Sequence, residues 1–92
     1  MEILKPYRAR IDALDDKIVD LLAERMGIIR EVGALKAENG IDPLLQDRVD
    51  EVRERCAARA ESKGVDADMV RGLYDLLIRH CCDVEAGIIK NL

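Results

Sequence analysis

Ninety-two residues, a net charge of -4, 37% charged side chains and 2% aromatics narrow the possibilities at once. A chain this short is expected to form one domain over residues 1–92, and it buries only about 60 to 65% of the surface its unfolded form exposes, so oligomerisation is a natural remedy for marginal stability. Basic residues scattered among acidic ones argue against nucleic acid, no apolar stretch nears the roughly 20 residues of a membrane span, and Met1-Glu2-Ile3-Leu4-Lys5 lacks a signal-peptide pattern, so a cytoplasmic protein with no membrane partner is expected.

Apolar residues first recur at Leu4, Tyr7, Ile11, Leu14, Ile18 and Leu21, then at Ile28, Val32 and Leu35, in alternating steps of three and four. This spacing predicts one amphipathic helix from about residue 4 to residue 37, ended by Asn39-Gly40 and Asp42-Pro43. The step after Leu21 lands on Arg25. A guanidinium on an apolar seam calls for an anionic partner, because desolvating it alone costs several kcal/mol. That partner is either a carboxylate from another helix or an anionic ligand held inside the bundle.

Leu45, Val49, Val52, Cys56 and Ala60 predict a second helix ending near Lys63, with Gly64 at its C-terminal cap. Asp66 then offers an N-cap carboxylate to a third helix, whose stripe is Met69 or Val70, Leu73, Leu77, Cys81, Val84 and Ile88. All three segments are helical, so the fold class is all-α. Cys56, Cys81 and Cys82 give no disulfide framework and read as reduced thiols. The run His80-Cys81-Cys82-Asp83 resembles a set of metal ligands, but consecutive side chains on a helix diverge by about 100°, so no metal is expected.

A first helix of about 50 Å exceeds the roughly 26 Å across a compact domain of this size. The two shorter helices cannot cover it, and the expected remedy is an intertwined dimer with the long helices side by side and antiparallel. On that helix Arg25 and Lys36 lie about 16 Å apart, within reach of one small anion, whereas Arg8 lies about 42 Å from Lys36. Arg8 can join them only from the partner chain, which predicts two equivalent sites per dimer, each lined by both chains.

The stretch Arg8-Ala-Arg-Ile11-Asp12-Ala-Leu14-Asp15, continuing through Leu21-Leu22-Ala23-Glu24-Arg25 to Val32-Gly33-Ala-Leu-Lys36, resembles the signature of the all-α class of chorismate mutases. Gln46-Asp47-Arg48-Val49 and Leu73-Tyr74-Asp75-Leu76-Leu77 extend the resemblance over nearly the whole chain. It implies a three-helix chain that dimerises through its long first helix and rearranges chorismate to prephenate. Arg25 would bind one substrate carboxylate, Arg8 of the partner subunit the other, and Lys36 a carboxylate together with the ether oxygen of the breaking bond. Arg48 would border the site, and Cys81 stands where the family commonly has a serine. Val32, Val52 and Ile78 match apolar wall positions. The reaction is pericyclic and calls for neither cofactor nor metal.

Two positions depart from that pattern. Glu85 stands where the family frequently has a glutamine that donates to the ether oxygen; a glutamate donates only when protonated, so activity is expected to fall as pH rises and Glu85 ionises. The alternative is a solvent-facing glutamate near a frayed terminus. Leu45 and Val49 replace acidic residues that hold the ring hydroxyl in the best-known members, with Gln46 close enough to serve instead. Isochorismate-pyruvate lyases and amino-deoxychorismate mutases share the scaffold and are the enzymatic alternatives. A non-catalytic helical dimer that binds a dicarboxylate is the alternative from another class.

Overall fold

The computed structural model describes residues 2–91, in three helices: α1 (Lys5–Asn39), α2 (Gln46–Ser62) and α3 (Ala67–Lys90). Each terminus has a local cause. Pro6 sits in the first turn of α1, where a missing N–H breaks no helical bond. Gly40 takes the left-handed conformation at φ 63, and the Ile41 N–H closes back on the Lys36 carbonyl at 2.9 Å. Because the cap forms on Gly40, α1 runs about one half-turn beyond the end expected from sequence.

At the end of α2, Gly64 with φ 75 lets Val65 N–H reach the Ala60 carbonyl at 2.9 Å, while Gly64 N–H reaches Glu61 at 3.1 Å. This double closure is a Schellman cap. Asp66 caps α3, its carboxylate accepting from Met69 N–H at 2.8 Å. No helix among the described residues is long and apolar enough to cross a membrane.

The molecule measures 55 × 25 × 15 Å, with a radius of gyration of 16.6 Å against about 13 Å for a compact chain of this size. α3 is the central element, packing on both α1 and α2. Val52, Ala57 and Ala60 of α2 are buried against it, and Arg53–Asp75 (3.3 Å) and Arg71–Glu54 (3.0 Å) tie the two helices at the surface.

α1 is covered only in its second half. Every residue from Lys5 to Glu24 is exposed, and the only buried residue of α1 is Gly33. The seam expected from sequence lies open, with Tyr7, Ile11, Leu14, Ile18, Leu21, Ile28 and Leu35 each more than half exposed. α3 instead covers the adjacent face carrying Met26, Ile29, Gly33 and Lys36, and Arg25 and Val32 sit where the two faces meet.

The expected stripe of α3 holds in large part: Cys81 is buried and Val70, Leu77, Val84 and Ile88 are half-buried, whereas Met69 and Leu73 are exposed. Ile78 and Glu85 complete the buried face. Glu85 is 4% exposed, so it is an interior residue and not a solvent-facing glutamate.

Candidate functional site

Between the second half of α1, the N-terminal half of α2 and the C-terminal half of α3 lies a cavity of about 320 Å³. α1 contributes Arg25, Ile28, Ile29, Val32 and Lys36; the α1–α2 connection contributes Pro43 and Leu45; α2 contributes Arg48, Val49 and Val52. α3 contributes Ile78, Cys81, Cys82 and Glu85. Arg25, Val32 and Lys36 reach one cavity because they share a helix face, with Ile28 and Ile29 on the turn between the first two. Ile78, Cys81 and Glu85 do the same on α3.

The charged groups are few and closely held. Lys36 Nζ lies 2.6 Å from Glu85 Oε1 and donates to the Pro43 carbonyl at 3.0 Å. Both side chains of the pair are largely withdrawn from water, at 14% and 5% exposure. Glu85 Oε1 nevertheless lacks a well-directed hydrogen bond, because the ammonium approaches it off the bonding direction. The contact is therefore chiefly charge against charge. An ammonium has three donors, so Lys36 retains capacity for a further acceptor.

Arg25 has no carboxylate within ion-pairing distance among the described residues, which removes the interhelical ion pair within one chain as its explanation. Its Nη1 donates instead to Cys81 Sγ at 3.0 Å, and the Cys81 thiol lies 3.6 Å from the Met26 thioether. A thiol is a weak acceptor, so this contact aims the guanidinium without neutralising it. Arg48 lines the cavity but is mostly exposed and pairs outward with Glu51. The cavity thus presents three cationic side chains and one carboxylate against walls of Ile, Val and Leu.

Gln46 lies outside the cavity, and Arg8, expected from the partner subunit, lies far from it within one chain. Gln46 is the first residue of α2; its amide donates to Asp50 one turn on, at 2.9 Å, and it borders a neighbouring groove with Arg53, Asp75 and Arg79 that meets the cavity at Pro43, Val49, Ile78 and Cys82. Arg8 lies in the uncovered part of α1, about 25 Å along the helix from Arg25. Leu45 and Val49 do line the cavity and make that end apolar.

Sequence reasoning did not find Pro43, whose relevant group is a backbone carbonyl and leaves no side-chain signal. Nor does the sequence place Ile29 or the Cys82 thiol at the cavity. Ile29 stands four residues after Arg25, a spacing that marks it as a neighbour on the same face. Burial pushes the Cys82 thiol up from its ordinary value, and the Glu85 charge adds to this against the opposing Lys36 ammonium.

The family described as chorismate mutase type II matches residues 7–86. The chain is 32% identical over 88 residues to a 4-amino-4-deoxychorismate mutase of Streptomyces venezuelae, covering 96% of this chain and 85% of that protein. It is 29% identical to a chorismate mutase of Methanocaldococcus jannaschii, covering 87% of this chain and 81% of the relative. It is also 29% identical to the T-protein of Haemophilus influenzae, where the match covers 86% of this chain but only 21% of the larger protein.

Proposed function

This chain belongs to the chorismate mutase type II family, and from that footing we propose that it converts chorismate to prephenate as a cytoplasmic homodimer. The observation that carries the reading is the convergence of Arg25, Lys36 and Glu85 on one apolar-walled cavity, with Lys36 and Glu85 2.6 Å apart. The rearrangement breaks one C–O bond as one C–C bond forms, with no proton transfer and no covalent intermediate. A protein accelerates it by holding the compact conformer and by aiming preorganised donors at the oxygen that gains negative charge.

Arg25 is the group suited to one carboxylate of the substrate. It is a partly buried cation that no carboxylate among the described residues neutralises. Arg8 of the partner subunit supplies the second guanidinium. The half-length of α1 left uncovered, with its apolar seam open, supports an antiparallel pairing that carries Arg8 there. Lys36 is the donor to the ether oxygen and to a carboxylate, steadied by the Pro43 carbonyl. Glu85 stands beside it and, when protonated, donates to the same oxygen. Arg48 adds positive potential at the rim.

A second reading is 4-amino-4-deoxychorismate as substrate. It is favoured by the name of the Streptomyces relative and by Leu45 and Val49, which offer no carboxylate to a ring hydroxyl. The test is to incubate the purified protein separately with chorismate, isochorismate and 4-amino-4-deoxychorismate across pH and identify each product. Prephenate from chorismate alone supports the first reading, turnover of the amino compound the second, and pyruvate release from isochorismate a lyase. Absence of turnover with all three leaves the dicarboxylate-binding module. A Glu85→Ala variant should lower kcat; an unchanged kcat would remove Glu85 from the donor role.

A further inference from the structure

A glycine in the middle of a helix is unfavourable, because it loses the most backbone freedom and packs no side chain. Gly33 is such a residue, and its backbone is helical, since among the described residues positive φ occurs only at Gly40 and Gly64. Conformation therefore does not require glycine there. The close approach of α3 requires a residue no larger than alanine.

A Cβ at position 33 would stand 2.8 Å from Ile88 Cδ1 and 3.4 Å from both Cα and Cγ of Glu85. The Ile88 methyl is the far end of a flexible side chain and can turn aside. The Glu85 contacts are at ordinary van der Waals distance and admit a Cβ, but they involve the α3 backbone and the root of the carboxylate arm, so atoms beyond a Cβ that press on them would carry the carboxylate along. Lys36 lies one turn after Gly33 on the same face, and its ammonium meets that carboxylate.

We propose that Gly33 is a positioning residue: its missing side chain sets the α1–α3 spacing at which the Glu85 carboxylate reaches Lys36. The catalytic consequence rests on the mutase reading above, whereas the geometric claim does not. Gly33 touches no reacting atom and acts only through Glu85. Alanine should be tolerated once Ile88 turns aside, and a branched side chain should not, because its two γ-carbons extend beyond a Cβ already in contact with Glu85 Cα and Cγ.

Double-mutant cycles test this, since residues acting through one contact couple and independent ones add. The first cycle needs no substrate: Lys36→Met and Glu85→Gln are combined in urea unfolding, in the parent and in Gly33→Val. The expected result is coupling of roughly threefold or more in the unfolding constant of the parent, and none in Gly33→Val. Coupling retained in Gly33→Val, or absent in the parent, overturns the proposal.

The second cycle is kinetic, on whichever substrate turns over. Gly33→Val should lower kcat about 10- to 100-fold with little change in KM, and should add nothing further in a Glu85→Ala background. Equal losses in both backgrounds would make Gly33 merely structural and overturn the positioning role. If Gly33→Val does not fold, Gly33→Ser, which adds a single γ-atom beyond the tolerated Cβ, carries the same comparisons, with Gly33→Ala as the control that should behave as the parent. If no substrate turns over, the mutase reading fails while the unfolding cycle still decides the geometry.

Discussion

Ile18 lies in the middle of the uncovered seam of α1, 54% exposed within the protomer. Fully burying such a side chain contributes about 1.5–3 kcal/mol, and slightly more than half of that is still to be gained on association, so about 1–1.5 kcal/mol per copy. A two-fold dimer uses the residue twice, giving about 2–3 kcal/mol in all. Ile18→Ala should therefore weaken the dimer by up to roughly 30- to 150-fold, at 1.4 kcal/mol for each tenfold. Ile18→Asp should separate the subunits completely, because it would also bury two unpaired carboxylates. Sedimentation velocity across a concentration series measures both effects. Helical content by circular dichroism should persist at high protein concentration for the alanine variant. Activity should fall in step with dimer population, because the proposed site needs Arg8 of the partner subunit. A sedimentation coefficient unchanged by Ile18→Asp would refute the antiparallel seam and, with it, the two-chain site.

Lys36→Ala should lower kcat by about 10²-fold or more with a smaller change in KM, measured by steady-state kinetics, as for the loss of a donor used chiefly in the transition state. The same variant leaves a buried carboxylate without its cation, which should destabilise the fold by roughly 3–5 kcal/mol in urea unfolding. Arg25→Leu should abolish dicarboxylate binding in calorimetry with unfolding unchanged or improved, since Arg25 forms no ion pair among the described residues. The raised Cys82 thiol contributes stability that is present below the ordinary thiol range and is lost as pH rises through the raised value. Urea midpoints at pH 7 and pH 10 should accordingly differ less in Cys82→Ala than in the parent.

The helix pattern was legible because punctuation and periodicity are local. Gly40, Gly64 and Asp66 cap as their residue types require, and each predicted end lies within a few residues of the observed one. Which face packs on which was less legible. A single stripe was read on α1, whereas the helix has two adjacent apolar faces. One covers α3, and the other, through Ile28 and Leu35, stays open. Leu73 on α3 was assigned inward for the same reason, as periodicity reports an amphipathic face but not its neighbour.

At the site, Arg25, Val32, Lys36, Val52, Ile78, Cys81 and Glu85 meet around one cavity, as do Arg48 at its rim and the apolar Leu45 and Val49. Gln46 does not join them, because a helix-start residue one turn from an aspartate satisfies its amide locally. The Pro43 carbonyl and the close approach at Gly33 were beyond sequence reasoning. Both depend on backbone positions that form only when the α1–α2 connection folds over Lys36 and α3 docks.

Subunit complementation tests the shared site most directly. Arg8→Ala and Arg25→Ala homodimers should each be nearly inactive. When the two chains are unfolded together in equal amounts and refolded, half the dimers are mixed, and each mixed dimer keeps one intact site, so activity should recover to about a quarter of the parent. Activity no greater than the mean of the two separate variants would contradict a site built from both chains.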